Sequence, residues 1–260
     1  MTDLLWINLD KDVARKDHMN LSINTAFTDA SCSRIRACDP LDVAMYDIID
    51  NDCPIPVSVG EHGCLLSHMK CIEMGIESSK SKGNDHFMVT EDDIMFEISP
   101  LSIKSICDSA PDDWEILQLY SNNANAVLSM FFKDFGGGGP GKPNDVIWKK
   151  WDFSHWSTAA YIIKVSTAED LVKRFKFSST DMKIDLRCHS MKSVADLVLY
   201  MFNTTYTLCV PIATTLDVDS NIHPEHIDMH RSATRSIRSI LFRLKKKDGP
   251  HSHPFLQSRQ

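Results

Sequence analysis

One helix stands out in the pattern of apolar and polar positions along the chain. Over residues 61–79, the apolar side chains Leu65, Met69, Ile72 and Ile76 recur every three or four positions. That spacing places them on one face of an α-helix, where they would pack on a hydrophobic core. The pattern therefore predicts a helix over residues 61–79 with one buried side.

Short apolar runs predict strands on either side of this helix. The runs lie at residues 4–9, 33–38, 86–90, 114–119, 157–163 and 206–210. Further helices are predicted over residues 11–20, 166–175 and 194–202, and irregular structure over residues 39–60 and 133–150, where Pro and Gly accumulate. Strands that alternate with helices are typical of an α/β protein with crossover connections. We therefore expect an α/β fold with a central mixed sheet flanked by helices.

Length and charge limit the number of domains and the kind of partner. A chain of 260 residues can bury a large core in one elaborate domain, and its net charge of −7 argues against nucleic-acid binding. Residues 231–247 differ, because they contain seven basic residues and no acidic one, with apolar residues at helical spacing. Such a helix either packs on the domain or lies on an anionic membrane surface. We predict a main domain over residues 1–230, followed by a basic helix and a disordered tail over residues 231–260.

The chain shows no targeting or membrane-spanning signal. No stretch approaches the roughly 20 apolar residues that cross a bilayer, and no basic segment precedes the first apolar run. The eight cysteines form no CxxC pair, which favours free thiols in a reducing compartment. We expect a cytoplasmic protein, with membrane association through residues 231–247 as an addition to be tested.

The sharpest chemical feature is the acidic triplet Glu91-Asp92-Asp93 at the end of an apolar run. Adjacent carboxylates repel one another unless water or a cation relieves them. In an extended segment Glu91 and Asp93 would point the same way, and their oxygens suit Mg²⁺ or Mn²⁺. Such an ion could bridge the diphosphate of a nucleotide donor. The alternative is an acidic turn without a ligand.

Several short motifs, in order, resemble a known enzyme family. They are INL at residues 7–9, GCLLSH at residues 63–68, EDD at residues 91–93, TAAYII at residues 158–163 and SNI at residues 220–222. In this order and spacing they resemble glycosyltransferase family 25, which includes lipooligosaccharide and procollagen galactosyltransferases. The GCLLSH block followed by EDD is the most specific part of the resemblance.

The resemblance implies a GT-A type nucleotide-sugar-binding fold and a metal-dependent, inverting hexosyltransferase. The donor would be a UDP-sugar, galactose or glucose, and the acceptor a hydroxyl of a glycan or another molecule. The cofactor would be Mn²⁺ or Mg²⁺. Two other functions stay open: a nucleotidyltransferase acting on sugar phosphates, and a non-catalytic relative that binds sugar nucleotides.

The resemblance also implies where the donor and the metal bind. The predicted donor-binding residues are Asn8, Leu9, Arg15, Ala37, Asp39, Gly63, Ser67, His68, Glu91 and Asp92. The predicted metal ligands are Asp93 and Glu91, with His223 as a late ligand from the histidine-rich segment near residue 223.

An inverting transfer needs a general base for the acceptor hydroxyl. Asp196 is the first choice, because it opens a predicted helix whose N–H groups would favour the ionised carboxylate. Asp152 and Asp185 are reserve candidates, and a simple capping role for Asp196 is the alternative. Trp148 and Trp156 are among the tryptophans that either line the acceptor cleft or belong to the core.

Overall fold

The computed structural model describes residues 1–135, 146–216, 227–248 and 253–255. Within these ranges the strands are β1 (Thr2–Asn8), β2 (Ala30–Arg36), β3 (Asp47–Ile49), β4 (His86–Glu91), β5 (Ile94–Phe96), β6 (Ile116–Gln118), β7 (Trp148–Lys150), β8 (Ala160–Lys164), β9 (Lys183–Asp185), β10 (Thr205–Leu208) and β11 (Ala213–Thr215). The α-helices are α1 (Val13–Ala26), α2 (Pro40–Met45), α3 (Val59–Lys82), α4 (Ile103–Asp108), α5 (Ala124–Ser129), α6 (Val165–Arg174), α7 (Ala195–Tyr200) and α8 (Ile227–Asp248). A π-helical turn covers Met130–Asp134.

Seven strands form a central mixed sheet in the order β2-β1-β4-β8-β6-β10-β7. Strands β2, β1 and β4 are parallel neighbours, whereas β8 runs antiparallel to both β4 and β6. Strand β10 is parallel to β6, and β7 pairs antiparallel with β10. The predicted mixed sheet flanked by helices is confirmed.

The sheet separates two apolar clusters, because alternate side chains of a strand point to opposite faces. In β1, Leu4 and Trp6 join the cluster that includes residues of α1, α4, α5 and α8. Leu5 and Ile7 join the other cluster, with residues of α3, α6 and α7. Both faces of the sheet are therefore covered, which explains why its strands read as continuous apolar runs.

Helix α3 is the longest element and is fixed at both ends. Ser58 and Glu61 form a capping box, in which the hydroxyl of Ser58 accepts from the amide of Glu61 at 3.1 Å and the carboxylate of Glu61 accepts from the amide of Ser58 at 2.8 Å. The helix ends at Gly83, whose φ of 71° is the left-handed conformation that glycine adopts without strain. The prediction found the buried face but began the helix two residues late.

Gly75 allows α3 to lie close to β4. A Cβ at this position would lie 2.4 Å from the Phe87 ring, which is fully buried. Replacement of Gly75 by Ala should therefore lower the free energy of unfolding by about 1–3 kcal/mol, in spite of the roughly 1 kcal/mol higher helix propensity of alanine. Chemical denaturation measures this, with the exposed neighbour variant Met74→Ala as control. A Gly75→Ala protein as stable as the wild type would contradict the close packing.

Some elements lie where irregular structure was predicted, and there the prediction was wrong. Residues 39–60 contain α2 and β3, because Asp39 and Asp42 form a capping box around Pro40 and β3 pairs with β9. In the segment 133–150, the π-helical turn covers the start and β7 the end. Residues 136–145 lie outside the described part of the chain.

Helix α8 contains the basic segment and packs on the domain. Its apolar residues Ile237, Ile240 and Leu241 belong to the first apolar cluster, and Arg238 donates to the carboxylate of Glu97 at 2.8 Å. Other basic side chains of the helix, such as Arg235 and Lys245, are exposed. Among the described residues, no helix is long and apolar enough to cross a membrane.

Candidate active site

An open cleft lies at the carboxyl ends of β1, β2 and β4, which end at the same edge of the sheet because they are parallel. The N-terminal turns of α1 and α3 form part of its walls. The cleft contains about 820 Å³ of empty space, counting the part open to solvent. Helix N-termini carry a partial positive charge, so this edge suits a ligand with phosphate groups.

The structure brings most of the predicted donor and metal residues to this cleft. Those that line it are Asn8, Leu9, Arg15, Ala37, Gly63, Ser67, His68, Glu91, Asp92 and Asp93. Asp39 does not line it; it opens α2, and its carboxylate lies 3.1 Å from the ammonium group of Lys11 at the rim. His223 lies outside the described residues.

Asp92 is held by protein groups. Its carboxylate accepts from the side-chain amide of Asn8 at 2.6 Å and from the guanidinium group of Arg15 at 3.0 Å. The side-chain oxygen of Asn8 in turn accepts from Arg34 at 2.9 Å. Asn8 and Asp92 therefore join the ends of β1 and β4, and fix the backbone that carries Glu91 and Asp93.

The GCLLSH motif fixes the opposite wall. A Cβ at Gly63 would lie only 3.2 Å from the carbonyl oxygen of Cys38, so a glycine lets α3 approach the end of β2. The hydroxyl of Ser67 donates to the carbonyl of Gly63 at 2.5 Å and accepts from the amide of Cys38 at 2.8 Å. Ser67 is 3% exposed and joins the helix to the strand.

Two polar side chains contact Glu91, which lines the cleft. The same carboxylate oxygen accepts from the Thr158 hydroxyl at 2.8 Å and lies 3.3 Å from Nε2 of His68. Burial raises the pKa of Glu91, but His68, Thr158 and the charge of Arg15 outweigh burial and hold that pKa below its usual value. Glu91 is therefore ionised at neutral pH.

Asp93 is the least satisfied member of the acidic triplet. Its Oδ1 atom is buried and accepts no hydrogen bond from the described residues, while its Oδ2 atom lies 3.8 Å from Arg15. Burial and the nearby charge of Glu91 raise the pKa of Asp93 to about 7. A buried acceptor without a partner is costly, and a cation would satisfy it. The oxygens of Asp93 and Glu91 thus fit a hard divalent ion.

Asp196 lies in the first turn of α7, and its environment differs from the sequence expectation. Its carboxylate accepts from the amide of Ser157 at 3.1 Å, and the N-cap residue of α7, Val194, provides no side-chain cap. Burial raises the pKa of Asp196 to about 6, with the charge of Glu91 in the same direction. The expected stabilisation of the ionised form is therefore outweighed, because the helix start does not compensate for burial.

Two residues that were not predicted as site residues connect the carboxylate of Asp196 to the acidic triplet. Ser157 donates its amide to Asp196, and the next residue, Thr158, donates its hydroxyl to Glu91. Ser157 has a φ of 121°, which is strained for a residue with a side chain. Tyr200 and Gln118 donate to its carbonyl at 3.1 and 2.8 Å and hold it there. A serine gives no sequence signal for such a backbone conformation.

The sequence profile of glycosyltransferase family 25 (LPS biosynthesis protein) matches residues 1–187. The chain belongs to glycosyltransferase family 25. The matched stretch contains the whole cleft lining and ends before Asp196. The resemblance drawn from the sequence motifs is confirmed.

Three solved structures are similar to this glycosyltransferase. A197 from STIV is 11% identical, with 82% of this chain and 84% of that chain covered at a TM-score of 0.40. A glycosyltransferase involved in glycosylation of the major capsid of PBCV-1 is 9% identical, with 92% and 98% covered at a TM-score of 0.38. The galactosyltransferase LgtC, in complex with donor and acceptor sugar analogues, is 9% identical, with 92% and 96% covered at a TM-score of 0.32. No curated protein sequence matches the chain.

The reserve candidates for a catalytic base lie away from the cleft of this glycosyltransferase. Asp152 accepts from the amide of Ser154 at 2.7 Å on an exposed loop. Asp185 ends β9 and is paired with Lys176 at 2.9 Å and Arg187 at 2.8 Å. Neither lines the cleft, and Asp196 is not one of the lining residues either, but Asp196 is close enough to Glu91 and His68 for their charges to act on its pKa.

The tryptophans divide between the core and the surface. Trp148 is buried and donates its indole N–H to Ser109 at 3.0 Å. Trp156 is 44% exposed and directly precedes Ser157. Of these two, only Trp156 is exposed, and it lies next to the residue that contacts Asp196.

Replacement of Asp196 by Asn should stabilise the enzyme at pH 8 and not at pH 4. The folded-state pKa, about 6, is above the usual 3.8, so folding favours the neutral acid. That contribution is fully present below the unfolded-state pKa and is lost as pH rises through about 6. Asn is always neutral, so the variant should gain thermal stability only at the higher pH. If Asp196→Asn melts at or below the wild-type temperature at both pH values, this environment of Asp196 is contradicted. The same gain in melting temperature in Asp152→Asn would contradict it as well.

Proposed function

We propose that this family 25 glycosyltransferase moves a hexose, galactose or glucose, from a UDP-sugar to a hydroxyl of a glycan or another acceptor, with inversion at the anomeric carbon. The observation that carries the proposal is the buried Asp93 oxygen, which has no partner among the described residues and lies next to the ionised Glu91 in a cleft at the carboxyl ends of the parallel strands.

The walls of the cleft contain a cationic side chain, two helix N-termini and apolar residues, which together suit a nucleotide-sugar donor. Arg15 is a cationic residue of the cleft lining, 3.0 Å from Asp92 and 3.8 Å from Asp93, and keeps the acidic triplet compact. The N-terminal turns of α1 and α3 offer positive potential to a diphosphate. Leu9 and Ala37 are the apolar lining at the ends of β1 and β2, where the family resemblance expects the nucleoside.

Asp93 and Glu91 would hold Mn²⁺ or Mg²⁺, with His223 as the proposed further ligand. A divalent ion bound there neutralises the negative charge that develops on the leaving UDP. The protein's part is to keep both carboxylates in place: Thr158 and His68 orient Glu91, while the Asn8–Asp92 contact orients the turn that carries Asp93.

Asp196 would act as the general base. The acceptor oxygen bonds to the anomeric carbon as the bond from that carbon to the UDP oxygen breaks, and the hydroxyl proton passes to Asp196. With its pKa near 6, Asp196 is mostly ionised at neutral pH and still basic enough to take a proton. Ser157 holds the carboxylate, and the exposed ring of Trp156 beside it provides a face on which an acceptor sugar can stack.

A screen of UDP-sugars with Mn²⁺ tests this proposal. We expect UDP-galactose or UDP-glucose to be hydrolysed slowly to UDP without an acceptor, and faster with the right acceptor. A nucleotidyltransferase would instead release pyrophosphate from UTP and a sugar phosphate. A non-catalytic relative would bind a UDP-sugar without any turnover, and either result would overturn the proposal.

The cytoplasmic location and the membrane contact stay predictions. Because the apolar face of α8 packs on the domain, contact with an anionic bilayer would use the exposed cationic side of that helix. Sedimentation with anionic vesicles at low and high salt would test this contact.

A further inference from the structure

A second set of potential metal ligands lies on the α3 side of the cleft. Cys64 and His68 are four residues apart on α3 and therefore share a face, and Glu91 reaches them from the end of β4. One ligand atom from each of the three lies within 4.8 Å of the others. Nε2 of His68 is 3.3 Å from the nearer oxygen of Glu91.

These distances approach those of a tetrahedral zinc site. With zinc–ligand bonds of about 2.0–2.3 Å, ligand atoms around one ion are roughly 3.3–3.8 Å apart. The His68–Glu91 pair already has this separation. A small rotation of the Cys64 side chain would bring its sulfur to the same distance, because all the ligand atoms are within 4.8 Å.

The surroundings orient the ligands as a metal site requires. Nδ1 of His68 lies 3.1 Å from the buried hydroxyl of Tyr161. Without a metal, an N–H at Nε2 faces Glu91; with a metal bound, the proton would sit on Nδ1, where the Tyr161 oxygen can accept it, and the lone pair of Nε2 would bind the ion. The Thr158 hydroxyl fixes the carboxylate of Glu91 at 2.8 Å. All three ligand residues line the cleft, so a fourth position faces solvent or substrate.

The two sides of the cleft differ in the cations that they favour. Thiolate and imidazole groups favour Zn²⁺, whereas Mn²⁺ and Mg²⁺ favour carboxylates such as Asp93. We propose that Cys64, His68 and Glu91 form a site for Zn²⁺, distinct from the hard-ion position at Asp93 but sharing Glu91 with it. As the zinc–sulfur bond forms, the thiol proton is released to solvent. Since Glu91 cannot serve both ions fully, Zn²⁺ inhibits transfer, a consequence that rests on the proposed function.

Cobalt spectroscopy tests the site without any activity assay. The full-length protein, freed of metal with a chelator, is titrated with Co²⁺, whose bond to a thiolate gives an intense near-ultraviolet absorption. We expect this absorption in the wild type and in Cys188→Ser, which is a control at an exposed cysteine. In both proteins the absorption should disappear when Zn²⁺ is added. We expect no such absorption in Cys64→Ser. Absence from the wild type, or persistence in Cys64→Ser, would overturn the proposal.

Alkylation of the wild type provides a second measurement that does not depend on the folding of a variant. Zn²⁺ should slow the alkylation of Cys64 at least tenfold, as measured by peptide mass, and should leave Cys188 unchanged. Equal rates at Cys64 with and without Zn²⁺ would overturn the site.

Activity then separates this inference from the proposed function. If a UDP-sugar is turned over with Mn²⁺, Zn²⁺ should inhibit the wild type and inhibit Cys64→Ser at least tenfold less. If no sugar nucleotide is turned over, the proposed function fails, and the cobalt and alkylation results still decide the site. Equal inhibition of both proteins would overturn the link between the site and transfer.

Discussion

Replacement of Asp93 by Asn should lower the rate of UDP release from the preferred UDP-sugar about a thousandfold, equivalent to roughly 4 kcal/mol of transition-state stabilisation. The reason is that Asp93 lines the cleft and that one of its carboxylate oxygens is buried without a hydrogen-bond partner among the described residues. The fold should not suffer, because burial and Glu91 already raise the pKa of Asp93 to about 7 and Asn removes an unfavourable charge. Steady-state kinetics and thermal unfolding measure the two effects.

Asp92→Asn is the matched comparison one residue away. Burial raises the pKa of Asp92 as well, but each of its two carboxylate oxygens accepts from a different donor, Asn8 or Arg15. An asparagine would place its NH2 group against one of these donors, so the replacement should lower the free energy of unfolding by about 1–3 kcal/mol. The two variants should therefore differ. Asp93→Asn should lose turnover and keep its stability, whereas Asp92→Asn should lose stability. Full turnover in Asp93→Asn would contradict its role at the cation.

Replacement of Asp196 by Asn should lower kcat by about 10²–10⁴-fold and leave the affinity for the UDP-sugar within about twofold. The variant keeps an oxygen that can accept from the amide of Ser157 but has no basic group for the acceptor proton. In the wild type, kcat should rise about tenfold per pH unit below pH 6 and level off above it, because the ionised form with pKa about 6 is the active one.

The control is Asp152→Asn, on the exposed loop that also carries Trp156 and Ser157. It should keep the wild-type kcat and pH profile. An Asp196→Asn enzyme with unchanged kcat would reject Asp196 as the base, and an unchanged pH profile in that variant would assign the titration to another group.

Local sequence patterns predicted the parts of the site that depend on short-range order. The apolar spacing in residues 61–79 located α3, and the run before Glu91 located β4. Parallel strands end at one edge, so the ends of β1, β2 and β4 meet at the cleft. The family motifs then selected side chains that line it.

The rest of the site depends on contacts between distant parts of the chain. The pairs Ser157–Asp196 and Thr158–Glu91 are 39 and 67 residues apart in sequence. Neither pattern nor propensity predicts them, and the left-handed backbone of Ser157 occurs without a glycine or asparagine.

Burial competes with local electrostatics in the acidic groups of the site, and the sequence does not show which effect is larger. A helix start predicts a low pKa for Asp196, but desolvation raises it to about 6. Three adjacent carboxylates look alike in sequence, yet Arg15 and Asn8 bind Asp92, and His68 and Thr158 bind Glu91. Asp93 keeps a buried oxygen without a partner in the described part of the chain. Only the tertiary structure distinguishes their roles.

Calorimetric titration of UDP into the wild type and Asp93→Asn, each with Mn²⁺ and with a chelator, tests most directly whether the cleft holds a nucleotide through a cation at Asp93. We predict that UDP binds the wild type with Mn²⁺ at least tenfold more tightly than with the chelator, and that Asp93→Asn shows no such gain. Equal UDP affinity in all four titrations would contradict the account.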